Sequence, residues 1–127
     1  MKKVVIIIPL VILAACLKLT GSFAYKTIDM DAYRVMKHDM QFPESCSVDW
    51  IYKVNMLQTE KNIGVVLLKK ELVWVDIRKD SVKLNKDSKV VYGNISNLTK
   101  GNYKIVIVNE DVIADEMEFE IYEDNNW

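Results

Sequence analysis

One histidine and two cysteines are the obvious nucleophiles and bases in this 127-residue chain. His38, as the single imidazole, removes multi-histidine metal sites and leaves one candidate general base. It stands between Lys37 and Asp39, where a solvated surface imidazole is the simplest reading. Cys46 opens an alternating apolar segment and has no histidine or asparagine near it in sequence to act as a partner, so it reads as a buried, inert thiol. Asp29, Asp31 and Asp39 lack the spacing of a calcium loop, and the four glycines are scattered instead of gathered into a phosphate-binding loop. The expectation is a protein that is not an enzyme, with no cofactor, no metal site and no small-molecule substrate. Two further groups matter by position. Cys16 stands near the end of a short apolar run, and Glu116, Glu118 and Glu120 form a ladder near the C-terminus. Such a ladder either steers a basic partner or is a solvated sheet face that discourages edge pairing.

The apolar run begins at Val4, after the positive start Met1-Lys2-Lys3, and ends at Leu17. It is shorter than the roughly 20 residues a membrane-spanning helix needs. A positive start followed by a short apolar stretch reads as an export signal. Its end, Leu13-Ala14-Ala15-Cys16, resembles the lipobox of bacterial lipoproteins, with Leu three residues before the Cys and small residues between. That resemblance implies diacylglycerol in thioether linkage on Cys16, cleavage before it, and a third acyl chain on the new amine in Gram-negative bacteria. It therefore implies a membrane as one partner. Two or three acyl chains anchor stably where one is marginal. Leu17 stands where an Asp would commonly retain such a protein in the inner membrane, so a Gram-negative host implies the outer membrane, facing the periplasm. A competing site exists at Ser22-Phe23-Ala24, where ordinary signal peptidase would release a periplasmic or secreted chain beginning at Tyr25.

On the first reading residues 1–15 are a signal peptide, 16–26 a lipidated Cys with a tether, and 27–127 a single domain. Removal of the first 15 of 127 residues leaves 112, an ordinary domain able to bury a core. Loss of Lys2 and Lys3 takes the formal net charge from −1 to −3, which argues against nucleic acid. With Cys16 lipidated, Cys46 is alone and no disulfide framework is available. Met30, Tyr33, Met36 and Met40 fall at helical spacing behind Asp29 and Asp31, predicting one short helix over Asp29 to Met40 that Pro43 closes. From Cys46 the period changes to two: Cys46, Val48, Trp50, Tyr52, Val54 and Met56 alternate with a mostly polar set, predicting a long half-buried strand. Six more strands are expected at Ile63 to Leu68, Leu72 to Arg78, Val82 to Leu84, Val90 to Ile95, Tyr103 to Val108 and Met117 to Tyr122. Trp50 and Trp74 read as core, and Trp127 as a frayed tail.

About seven short strands separated by polar turns predict a mainly β, antiparallel sandwich. Leu98-Thr-Lys-Gly101-Asn-Tyr103-Lys-Ile105-Val-Ile107 sharpens this, because it resembles the entry to the penultimate strand of immunoglobulin-like, fibronectin-like and transthyretin-like sandwiches. The resemblance implies that Leu98 plugs the core, Gly101 takes a tight turn and Tyr103 bonds back to the loop. Ile105 stands where antibody-type domains carry a Cys, so their inter-sheet disulfide is absent. Anchor, sandwich and scarcity of catalytic groups together suggest a lipid-anchored envelope protein that binds a protein partner as an assembly accessory. An immunity, inhibitor or exclusion protein at the envelope is the second expectation, and a freely secreted sandwich cleaved after Ala24 the third.

Overall fold

The computed structural model describes residues 19–57 and 59–124. The leader, Cys16 and Trp127 lie outside the described residues. Nine strands follow in order: β1 (Gly21–Thr27), β2 (Arg34–Val35), β3 (Met40–Pro43), β4 (Val48–Val54), β5 (Lys61–Lys70), β6 (Trp74–Leu84), β7 (Val90–Ile95), β8 (Gly101–Asn109) and β9 (Val112–Tyr122). They form a four-stranded sheet in the order β2-β1-β4-β7 and a five-stranded sheet in the order β3-β9-β8-β5-β6. All pairings are antiparallel except β3 with β9. The seven strands of six residues or more make the expected immunoglobulin-like sandwich, and β2 and β3 are short additions at its edges.

Alternation drives the stacking of the two sheets. Val48, Trp50, Tyr52 and Val54 of β4 are buried while Asp49 and Lys53 stay in water, and Met117, Phe119 and Ile121 of β9 point inward from the other side. Aromatic rings fill the middle: Phe23 lies 4.7 Å from Tyr52 between centroids, and Tyr103 stacks on Phe119 at 5.6 Å. Gly93 sits opposite Trp50 in the β4–β7 register, and a Cβ there would fall 2.2 Å from the indole. Glycine at this position makes room for the tryptophan, whose ring lies over the bare backbone.

The turn into β8 behaves as its resemblance implies. Tyr103 is buried, and its hydroxyl donates to the Thr99 carbonyl at 2.6 Å. Leu98 packs against the core. Gly101 holds a φ of +152°, a backbone conformation that side chains disfavour, and a Cβ there would meet Lys69 Cε at 2.9 Å. A second polar tie crosses the sandwich itself: the Tyr52 hydroxyl on β4 donates to Asp115 Oδ2 on β9 at 3.1 Å. Burial, with the adjacent carboxylate, pushes the Tyr52 phenol far above the ordinary tyrosine range.

Three expectations are corrected. No helix occurs among the described residues, and Asp29 to Met40 is turns and bends around β2. Its helically spaced residues do not share a face: Met36 is buried while Tyr33 is exposed. Nor do its amides bond along a helix, since Met36 N–H donates to Phe23 O and Asp39 N–H to Glu118 O, each at 3.0 Å. Asp39, at a φ of 65°, breaks any helical run. A helix of that length has little stability of its own, and strand edges outcompete it for the amides. Second, the tether reading of 16–26 fails from Leu19 onward. Leu19 is buried, and Gly21–Thr27 is an interior strand of the four-stranded sheet, so the domain starts well before residue 27. Third, Leu72 to Arg78 and Val82 to Leu84 are not two strands. The charged run Arg78-Lys79-Asp80-Ser81 that would separate them lies within the single edge strand β6, whose residues there are exposed.

Because the folded Tyr52 holds its proton where an unfolded tyrosine releases it, at about pH 10, the native state binds more protons above that pH. The stability this side chain contributes is therefore fully present below about pH 10 and is lost as pH rises beyond it. Tyr52→Phe is expected to cost about 1 kcal/mol at neutral pH. It should also show a shallower alkaline decline than wild type, measured as urea midpoints between pH 8 and 11.

Candidate partner-binding face

The residues that first suggest chemistry are dispersed. His38 is exposed in the segment between β2 and β3. Cys46 is half-buried just before β4, and burial raises its thiol pKa, which disfavours the reactive thiolate. Asn94 on β7 bonds through its amide to Ser47 Oγ at 3.1 Å and Asp49 Oδ1 at 2.8 Å. Among the described residues no three His, Cys, Asp or Glu side chains gather as a metal site.

The glutamate ladder, in contrast, belongs to an organised surface. With Met117, Phe119 and Ile121 turned inward, Glu116, Glu118 and Glu120 stand on the outer face of the five-stranded sheet. Register then fixes their neighbours. Glu116 lies opposite Val106, Glu118 opposite Lys104 and Glu120 opposite Asn102 on β8, and one strand further Leu68 of β5 lies opposite Lys104. Val106 is buried although it points away from the inter-sheet core, because the long side chains of this face cover it.

Lys104 is the hinge between the two halves of the face. Its ammonium lies 3.6 Å from Glu116 Oε2 and 4.5 Å from the centre of the Trp74 ring on β6. The Lys104 side chain is only 15% exposed, against 41% for Glu116. A Trp–Lys–Glu row thus crosses four strands, and one carboxylate of the ladder is already matched within the chain. Glu118 and Glu120 differ. Together with Asp39, Gln41, Lys70 and Trp74 they line a shallow depression of about 300 Å³. The ladder is therefore one neutralised rung followed by an acidic basin that Asp39 deepens.

Sequence reasoning located the ladder but missed Trp74, Lys104 and Asp39. Trp74 is half-buried on the outer face, not in the core. Lys104 carried a signal, since it alternates with the inward Tyr103 and Ile105. Asp39 carried none, because only the parallel pairing of β3 with β9 brings it to Glu118. Beyond Trp74 the β5–β6 hairpin ends in Leu72, fully exposed, and Val73, so apolar surface continues past the face at the end of the sandwich away from the N-terminus.

A second concavity, about 320 Å³, lies between the edges of β6 and β7, with Trp50, Leu67 and Ile105 at its floor. Arg78 spans its mouth, its guanidinium donating to the Asn94 carbonyl at 3.4 Å. This contact links two sheet edges that no backbone pairing joins.

The Lys104–Glu116 pair is partly solvated, so a double-mutant cycle with Lys104→Ala and Glu116→Ala is expected to give a coupling below about 1 kcal/mol. The coupling should shrink as salt is raised, which chemical denaturation at two ionic strengths will measure.

No protein-family model matches the chain, and no curated protein resembles it in sequence. Its fold does have solved counterparts. One is the crystal structure of an immunoglobulin-like protein from Pseudomonas aeruginosa, which superposes with a TM-score of 0.55 at 13% identity, over 83% of this chain and 95% of that one. At that identity the likeness establishes a shared fold, and the chain carries an immunoglobulin-like β-sandwich domain.

Proposed function

We propose that this chain is a lipid-anchored envelope protein that binds a protein partner through the outer face of its five-stranded sheet. The observation that carries the anchor is the position of β1. Cleavage after Ala24 would remove Gly21 to Ala24, four of the seven residues of an interior strand, together with the buried Phe23. Loss of a buried phenylalanine alone costs about 3–5 kcal/mol, against a total stability of about 5–15 kcal/mol for a domain. Cleavage before Cys16 leaves β1 whole. The structure thus weighs against the freely secreted alternative and favours the Leu13-Ala14-Ala15-Cys16 site.

The binding role is supported by the outer face. Trp74 and the exposed Leu72 and Val73 offer apolar contact, and Glu118, Glu120 and Asp39 offer a basin of net negative charge beside it, three carboxylates against the one ammonium of Lys70. Apolar anchors bordered by charge are what a specific interface uses. A partner with a basic rim around an apolar centre fits this arrangement. The acidic basin equally suits an immunity or exclusion protein that covers a basic site on an enzyme or toxin at the envelope, the second reading.

Intact mass of the mature protein, wild type against Cys16→Ser, tests the anchor. The expected result is a chain beginning at Cys16 with a lipid-sized increment that the variant lacks. A chain beginning at Tyr25 overturns it. For the partner, photo-crosslinkers placed at residues 72 and 102, the latter at Asn102 in the lining of the basin, should yield one discrete adduct from native membranes, lost in Glu118→Lys, Glu120→Lys. Adducts that persist unchanged in the charge-reversed protein refute the assigned face.

A further inference from the structure

The same end of the sandwich that receives the N-terminus carries exposed apolar side chains on two of its loops, and we infer that this end rests on the lipid surface. The inference deepens the lipid-anchored reading and depends on it. Leu19 is buried, and Thr20 is fixed by Asn55, whose backbone N–H donates to Thr20 O at 3.0 Å and whose side-chain amide donates to Thr20 Oγ1 at 3.3 Å. Only Leu17 and Lys18 separate that fixed point from Cys16. Three residue steps span at most about 10 Å, so a lipid on Cys16 holds this end of the domain against the bilayer and leaves the domain little freedom to turn over.

Three connections meet at this end: Val54 to Lys61, Leu84 to Val90, and the β8–β9 turn from Asn109 to Val112. Together with the start of β9 they present Met56 at 70% exposure, Val112 at 61% and Ile113 at 52%. Large apolar side chains on separate loops at one end match the depth to which an interfacial protein inserts, about 5–10 Å. Charge there is mixed and partly matched within the chain. Glu110, at the β8–β9 turn, is drawn to Lys61 at 3.2 Å, and Glu60 pairs with Lys83 at 2.8 Å. Two carboxylates that would otherwise face anionic lipid are thereby matched; Lys86 and Lys89 stand on the neighbouring connection with Asp87 between them, and exposed Asp111 adjoins Val112. The opposite end, with Leu72 and Val73, then points away from the membrane, as does the partner-binding end of the outer face.

The test uses full-length protein purified from membranes, its lipid verified by intact mass. In a Cys46→Ser background, an environment-sensitive fluorophore is placed at Met56→Cys, Val112→Cys or Leu72→Cys, and the protein is reconstituted into phosphatidylethanolamine–phosphatidylglycerol vesicles with or without brominated acyl chains. Probes at 56 and 112 are expected to shift to the blue and to be quenched by brominated lipid, while the probe at 72 is not. In parallel, amide exchange of unlabelled wild type should slow over 109–113 on reconstitution and stay unchanged over 71–74. Lipid present on Cys16 with all three probes in water, or with exchange unchanged at both ends, overturns this inference and leaves the anchor standing. A mature chain without lipid overturns both.

Discussion

Everything about this domain hangs on the seven-residue ladder between β1 and β4. Gly21 to Thr27 pairs residue for residue with Val54 to Val48, which puts Phe23 between Trp50 and Tyr52. An interior strand cannot be shed, because its removal orphans backbone groups on both neighbours and opens a cavity in the aromatic centre. The same pairing carries the fold back to Gly21, with Leu19 already buried ahead of it.

Much of the fold was readable where the chain alternates cleanly. β4 and β9 each place an unbroken series of large apolar residues on one side, and β7 was delimited at Val90–Ile95 as observed. Tyr103 was legible for a different reason: a corner tyrosine needs Leu98, Gly101 and itself at fixed spacing, and local geometry of that kind survives in sequence. β1 was not legible. It offers only Phe23 and Tyr25 as large apolar residues amid Gly, Ser, Ala and Lys, and its stability comes from β4 and not from its own pattern. The Met30 to Met40 segment misled in the opposite sense, since a helical repeat arose by coincidence in a chain whose amides are claimed by strand edges.

The outer face shows a second limit. Alternation says that Lys104 and Glu118 point outward, but not that Trp74 from an edge strand lies across them or that Asp39 joins them by a parallel pairing. Those neighbours depend on sheet order, which a single strand does not encode. β6 was misread for a related reason. An edge strand solvated on its outer side can carry Arg78-Lys79-Asp80-Ser81 in mid-strand, and those charges discourage pairing with another chain.

The tie between Tyr52 and Asp115 has a consequence for the compartment in which such a domain works. Many extracellular sandwiches join their sheets with a disulfide, so their integrity follows the redox state of their surroundings. Here two oxygens meet across the sheets, and Cys46 sits half-buried with no cysteine bonded to it among the described residues. Among the described residues no disulfide joins the two sheets, and this hydrogen bond stands in the place such a link would take. What that particular hydrogen bond answers to is proton activity, through the Tyr52 phenol.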